Sequence, residues 1–315
     1  MKRLLMMSFL SVIVTSVFAL KKDPVYRDAR KNGAMARMQL HIVDDLGCNV
    51  SNAAVSVFMG MNFRPQGYYL KGMTDANGKY VAEGKTCGDE IEIDVVKQGH
   101  YPSSKRLCYA VMGSEHEVKN GKWQPFGKEE TIVLRRMVNP VNLIVFDKVI
   151  DVVRTNAWLG FDMESMDFIK PIGGGLRADF EIMTNWDGLP AWESKYCNAE
   201  IRFATDKTGG YYVDNVTESK FPYAYIAIAD SPFGEKCVRI VDRNGDPRSP
   251  KVPFKKDASL VIRTRIDVDE HGKLTTANYG CIRRFEIGPS RRGVTLLRLS
   301  YVFNPIPNDT NLEPK

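Results

Sequence analysis

Asp162, Glu164 and Asp167 place three carboxylates within six residues, a density that would suit a divalent cation or a general acid/base pair. Nothing in the spacing fixes their geometry, and a solvated loop face is the plainer reading. Asp242-Arg243-Asn244-Gly245-Asp246 has the D-x-N-x-D opening of a calcium loop. Such a loop needs Gly at its sixth position and Glu at its twelfth, where this chain has Pro247 and Pro253, so the stretch reads as a hairpin turn. Gly173-Gly174-Gly175 resembles a phosphate loop only in composition, because no Walker Lys-Ser/Thr follows and no strand–glycine–helix context exists. The four histidines, His41, His100, His116 and His271, lack a neighbouring Ser or Cys motif. A Ser-His-Asp triad is recognised by geometry alone, and the spacing offers none. Trp158, Trp186 and Trp192, with Tyr211, Tyr212, Tyr223 and Tyr225, are the remaining candidates: aromatic faces for a sugar or peptide, or the core of a large sandwich. No cofactor and no metal is implied. Asn49-Val50-Ser51, Asn215-Val216-Thr217 and Asn308-Asp309-Thr310 match the glycosylation sequon, which matters only in a eukaryotic secretory host.

The elements that must position these groups begin with an address. Lys2 and Arg3 precede an uncharged, largely apolar run from Leu4 to Ala19 that ends Val17-Phe18-Ala19. This order of basic, apolar and small residues predicts a secretory signal peptide over 1–19, and the run is shorter than the ~20 residues that cross a bilayer. No later stretch is apolar enough to span. Cleavage removes two positive charges, so the formal +6 of the whole chain falls to +4. Lys and Arg are scattered and not interleaved with aromatics, which argues against nucleic acid as a partner. At 315 residues, 43% hydrophobic and 26% charged, the composition fits about two globular domains and excludes fibrous and multi-span classes.

Residues 20–36 are polar and basic and read as a linker. From Met38 the pattern has period two: Met38, Leu40 and Ile42, then Val55, Val57 and Met59, then Ile91, Ile93 and Val95 against Glu90, Glu92 and Asp94. Tyr68–Lys71, Lys79–Ala82, Leu107–Val111 and Thr131–Arg135 complete about seven short strands separated by turns, the pattern of a β-sandwich. Asn139-Pro140-Val141 marks a join. The second half is again strand-rich, over 178–183, 199–203, 223–229, 238–241, 260–266, 281–287 and 296–303, with no convincing amphipathic helix.

Asp44-Asp45-Leu46-Gly47, Val50, Asn52-Ala53-Ala54-Val55 and Gly72-Met73-Thr74-Asp75-Ala76-Asn77-Gly78-Lys79-Tyr80 resemble the carboxypeptidase regulatory-like, or transthyretin-like, β-sandwich. That resemblance covers 37–138 and implies a domain that assists or presents, without catalytic residues. The second half, with Arg263-Thr264-Arg265, Ala277-Asn278-Tyr279-Gly280 and the tail Asn304-Pro305-Ile306-Pro307-Asn308-Asp309-Thr310-Asn311-Leu312-Glu313, resembles uncharacterised secreted bacterial proteins. They pair such a sandwich with a second β-rich region, and the resemblance brings no activity with it.

Export permits disulfides. Cys48, Cys87 and Cys108 fall in the first domain, and Cys197, Cys237 and Cys281 in the second. If each strand crosses the sandwich once, Cys48 and Cys108 share one end and Cys87 lies at the other. A five-residue strand separates the ends by ~16 Å, beyond the ~7 Å Cα limit for a bridge. Cys48–Cys108 is then the first-domain pair within reach, and six buried, inert thiols are the alternative.

The expected architecture is all-β: signal peptide 1–19, linker 20–36, sandwich 37–138 and a second antiparallel β-rich domain 139–315. The expected function is a non-catalytic exported module, periplasmic, cell-surface or extracellular, that binds or scaffolds a cell-envelope protein or glycan. Carbohydrate or peptide binding through Trp158, Trp186 and Trp192 is one alternative. A hydrolase using Asp162, Glu164 and Asp167 is the other.

Overall fold

The computed structural model describes residues 24–61, 67–88, 91–109, 118–152, 155–186, 197–216, 218–242, 254–255, 257–289 and 295–315. The described chain is almost entirely β-structure and divides into two compact units. One holds the chain up to Met137 together with Glu218–Phe221, and the other holds Val138–Thr217 and Pro222–Lys315. Among the described residues no helix is long and apolar enough to cross a membrane.

The first unit opens with the helix α1 (Pro24–Asn32), where the sequence reads as linker. Pro24 suits the first helical position, Arg30 and Lys31 sit at the negative end of the dipole, and Gly33 at φ 80° caps the last turn. The strands are β1 (Ala34–Asp44), β2 (Ala54–Gly60), β3 (Gly67–Met73), β4 (Lys79–Thr86), β5 (Ile91–Val96), β6 (Ser103–Leu107), β7 (Val118–Lys119), β8 (Lys122–Trp123) and β9 (Lys128–Leu134). β1 starts four residues before its apolar alternation becomes visible, because its first inward side chains are only Ala34 and Ala36. It pairs antiparallel with β4 and parallel with β9, while the second sheet runs β3-β2-β5-β6. Met38, Leu40, Ile42, Ile132 and Leu134 bury against Val55, Val57, Met59, Ile91, Ile93 and Val95.

Two devices close the open sides of this sandwich. Tyr68 reaches from β3 to the edge of β4, donating its hydroxyl proton to the Lys85 carbonyl at 3.0 Å and accepting the Lys85 N–H at 2.6 Å. Gly84 makes room for it, since a Cβ there would stand 2.5 Å from the Tyr68 hydroxyl. On the other side, Ser104 N–H donates to the Glu218 carbonyl and Lys220 N–H to the Pro102 carbonyl, so the segment 218–221 lies antiparallel along the edge of β6.

The second unit comprises β10 (Ile144–Val152), β11 (Thr155–Asp162), β12 (Asp167–Phe168), β13 (Phe180–Trp186), β14 (Cys197–Arg202), β15 (Gly209–Asp214), β16 (Cys237–Asp242), β17 (Ala258–Val268), β18 (Leu274–Pro289) and β19 (Thr295–Asn304). Its sheets run β10-β19-β18-β17-β15 and β12-β11-β13-β14-β16, with antiparallel pairing throughout. Phe146, Phe161, Phe180, Ile182, Ile201, Leu260, Leu299, Tyr301 and Phe303 lie in its main core.

The tail after β19 is built into this unit. Asn304 accepts the Ile306 N–H and donates to the Asn311 carbonyl, and Asn308, at φ 62°, accepts the Ala277 N–H. Leu312 is fully buried. The Glu313 carboxylate accepts the backbone N–H groups of Val138 at 2.7 Å and Asn139 at 2.6 Å. The polar tail that carried a family resemblance is therefore a set of hydrogen-bonding positions for this strap.

Candidate functional site

Two of the three acids, Asp162 and Glu164, are organised around a residue that their spacing did not reveal. Arg265 sits in β17 where the β17–β18 register shifts, and its φ of 50° turns the chain locally into the left-handed region. Its Nε donates to Asp179 Oδ1 at 2.8 Å and its Nη2 to Asp179 Oδ2 at 2.9 Å, a bidentate pair. Nη2 also reaches Asp162 Oδ1 at 2.6 Å, and Nη1 pairs with Glu164.

The carboxylates are further engaged by backbone. Asp162 accepts the N–H groups of Glu164, Ser165, Leu176 and Arg177, and Asp179 accepts that of Met163 at 2.7 Å. Burial pushes the Asp162 carboxyl upward, but the N–H bonds from Leu176, Ser165 and Arg177 and the Arg265 charge outweigh it and hold the pKa below its ordinary range. Asp167 faces a different partner set: it accepts the Phe168 and Gly174 N–H groups, each at 2.8 Å. The glycine run thus folds around a carboxylate, and a Cβ at Gly173 would stand 2.4 Å from the Phe168 carbonyl oxygen. The trio expected as a solvated loop face forms two hydrogen-bonded centres, in which Asp162 is buried while Glu164 and Asp167 stay exposed.

Other candidates are dispersed. Trp158 is half-buried on β11, with the Arg202 guanidinium 4.2 Å from its ring. Trp186 ends β13, and Trp192 lies outside the described residues. Tyr223 is buried, Tyr225 is half-buried, Tyr212 packs edge-on to Phe254, and the Tyr211 hydroxyl accepts the Ile228 N–H. His41 bonds Asn49 at 2.8 Å, His100 bonds the Gln98 carbonyl, His271 is exposed, and His116 lies outside the described residues. So does most of the D-x-N-x-D stretch, from Arg243 onward. Among the described residues no three His, Cys, Asp or Glu side chains converge as metal ligands.

The cysteines correct the strand-parity expectation. Cys48, Cys87, Cys108, Cys237 and Cys281 form no disulfide, and the side chain of Cys197 lies outside the described residues. The sixth strand is Ser103–Leu107, so Cys108 closes it where the sequence suggested that it opened one. Cys108 Sγ lies 3.2 Å from the Gly88 carbonyl oxygen, next to Cys87 and near the Ala34 end of β1. Cys48 lies in the turn beyond Asp44, at the other end of β1. Eleven residues of strand separate these ends, about 33 Å at ~3.3 Å per residue. Cys48 and Cys108 are therefore not bridging partners.

One outward face of the first unit carries a grouping that belongs to no sequence motif. The alternation that buries Val57 and Met59 turns Phe58 to the solvent side of β2. Phe58 is paired with Tyr69 on β3 and with Glu92 on β5, and Glu92 is paired with Arg106 on β6. The Phe58 and Tyr69 rings are 5.2 Å apart at 50°, and Tyr69 is 58% exposed. Phe58 lies across the backbone of Gly67, where a Cβ would come within 2.4 Å of its ring. The next row holds Lys71, Ser56, Asp94 and Ser104. The available signal was an aromatic at an outward position of an otherwise clean alternation.

No family model and no curated protein matches the chain. Among solved structures, 3-chlorocatechol 1,2-dioxygenase from Rhodococcus opacus 1CP aligns at 9% identity and TM-score 0.25, covering 33% of this chain and 61% of that one. The chain thus spans about three fifths of that enzyme's length. A DUF3823 family protein from Parabacteroides merdae aligns at 6% identity and TM-score 0.20, covering 86% of this chain and 98% of that one. The Bacillus anthracis TIE protein aligns at 9% identity and TM-score 0.23, covering 89% and 49%.

Proposed function

We propose that this chain is a non-catalytic module of the cell exterior that binds or scaffolds a component of the envelope. The observation that carries the reading is the state of its acids. Asp162 and Asp179 are at most 4% exposed and are held by Arg265 and backbone N–H groups, while Asp167 is held by its own loop. A general acid or base must exchange a proton with a substrate, and carboxylates saturated by donors are poorly placed to do so. The basic–apolar–small leader of residues 1–19 supports an exported destination.

The test pairs two assays on the purified mature chain. It should show no turnover of glycoside, ester or peptide substrates, and it should bind isolated cell-envelope material saturably. Turnover that falls in a folded Glu164→Gln variant would overturn the reading in favour of a hydrolase.

A further inference from the structure

We infer that the solvent face of the β3-β2-β5-β6 sheet is a binding platform for a neutral glycan chain, an inference that rests on the chain being a binding module. Tyr69 and Phe58 offer an aromatic surface at one end of a cross-strand row, and Glu92 and Arg106 complete that row. Lys71, Ser56, Asp94 and Ser104 form the parallel row two residues along. Aromatic faces stack on the C–H faces of sugar rings, and the flanking side chains supply donors and acceptors for hydroxyl groups.

Charge selects among the polymers that such a surface would accept. Lys71 and Arg106 balance Glu92 and Asp94, so the two rows carry no net charge. A polyanion would meet the two carboxylates without a compensating basic excess, whereas a neutral polyhydroxylated chain can use both kinds of group. The pairings across these four strands run without a register shift, and the face is an uninterrupted ladder suited to an extended ligand. A purely structural role for the aromatic pair is the competing explanation, since cross-strand aromatic pairs stabilise sheets by roughly 0.2–1 kcal/mol. Tyr69 is exposed enough for its removal to leave the fold intact, which lets binding and stability be read separately.

The experiment is affinity electrophoresis of the mature chain in gels containing soluble β-glucan, arabinoxylan, mannan, amylose or the polyanion alginate. Wild type should be retarded by at least one neutral polymer and not by alginate. Tyr69→Ala and Glu92→Gln should each weaken that retardation about tenfold or more, with thermal midpoints close to wild type, while Trp158→Ala should leave it unchanged. Retardation by no neutral polymer, or by alginate alone, overturns the inference. Retardation lost in Trp158→Ala but retained in Tyr69→Ala also overturns it, yet leaves the binding-module reading standing.

Discussion

Arg265 and Asp179 form a two-pronged ion pair, 2.8 and 2.9 Å, in which the carboxylate is fully buried. Such a pair holds its surroundings because removing either member strands the other charge away from water. Thr264 adds its hydroxyl to Asp179 Oδ1 at 2.9 Å, and the Tyr301 hydroxyl donates to the Met163 carbonyl beside the same centre. The centre thus links β17, β11, β19 and the loop after β12 by hydrogen bonds.

Acid should loosen this centre first. The Asp162 pKa is lowered from an ordinary value of 3.8, so its ionised form favours the folded state. That stabilisation is present above the unfolded value and is lost as pH falls through the lower folded value. Denaturant titrations from pH ~5 to ~2 should show stability falling with a slope that flattens in Asp162→Asn. An unchanged slope in the variant would remove Asp162 from the account.

Thiol reactivity should divide by position. Burial pushes the Cys281 thiol up to about 12, whereas Cys48 is exposed in a turn. Iodoacetamide at pH ~8 should label Cys48 in the native protein and Cys281 only after unfolding. Peptide mapping after mild oxidation should find no Cys48–Cys108 bridge, and finding one would contradict the strand order of the first unit.

The C-terminal strap should contribute measurably to stability. Glu313→Ala leaves the Val138 and Asn139 N–H groups without their carboxylate. An expected loss of about 2 kcal/mol follows from removing two hydrogen bonds to a charged carboxylate whose residue is 1% exposed. Lys315→Ala, at the exposed end of the same tail, should stay within about 0.5 kcal/mol. Equal effects of the two substitutions in urea unfolding would contradict this assignment.

Gly88 tests the packing beside Cys108. Its φ is 79°, and a Cβ would stand 2.7 Å from the Trp123 ring. Gly88→Ala should therefore cost at least about 1–2 kcal/mol from the backbone alone, whereas Gly234→Ala, with open space around it, should cost less.

What was legible in the sequence followed apolar contrast. β5 could be read because Ile91, Ile93 and Val95 alternate with charged neighbours, and β2 because Val55, Val57 and Met59 recur at every second position. β6 could not, because Ser103-Ser104-Lys105-Arg106-Leu107 offers little apolar contrast. Its inward partners are polar: Ser103 Oγ donates to the Val133 carbonyl, and Lys105 pairs with Glu130 and Glu218. That misplaced strand inverted the position of Cys108. The helix α1 was hidden by its charge, with a single small residue, Ala29, buried.

The acidic centre shows a second kind of blindness. Asp162 and Glu164 were visible as a cluster, but Arg265 lies 103 and 101 residues away and Asp179 is 86 residues from Arg265. Only the pairing of distant strands brings them together. The Phe58–Tyr69 face gave no sequence signal of its own, since neither residue belongs to a motif and both sit in strands marked by their inward side chains.

The most direct measurement is a double-mutant cycle between Arg265 and Asp179, using Arg265→Ala, Asp179→Ala and the double variant in equilibrium urea unfolding. If the acids hold the fold, each single change should cost about 3–5 kcal/mol, and the double variant should fall short of additivity by at least about 1 kcal/mol. Additive losses with no coupling, or singles that leave stability unchanged, would mean that the pair does not hold the fold and that its carboxylates are available for chemistry.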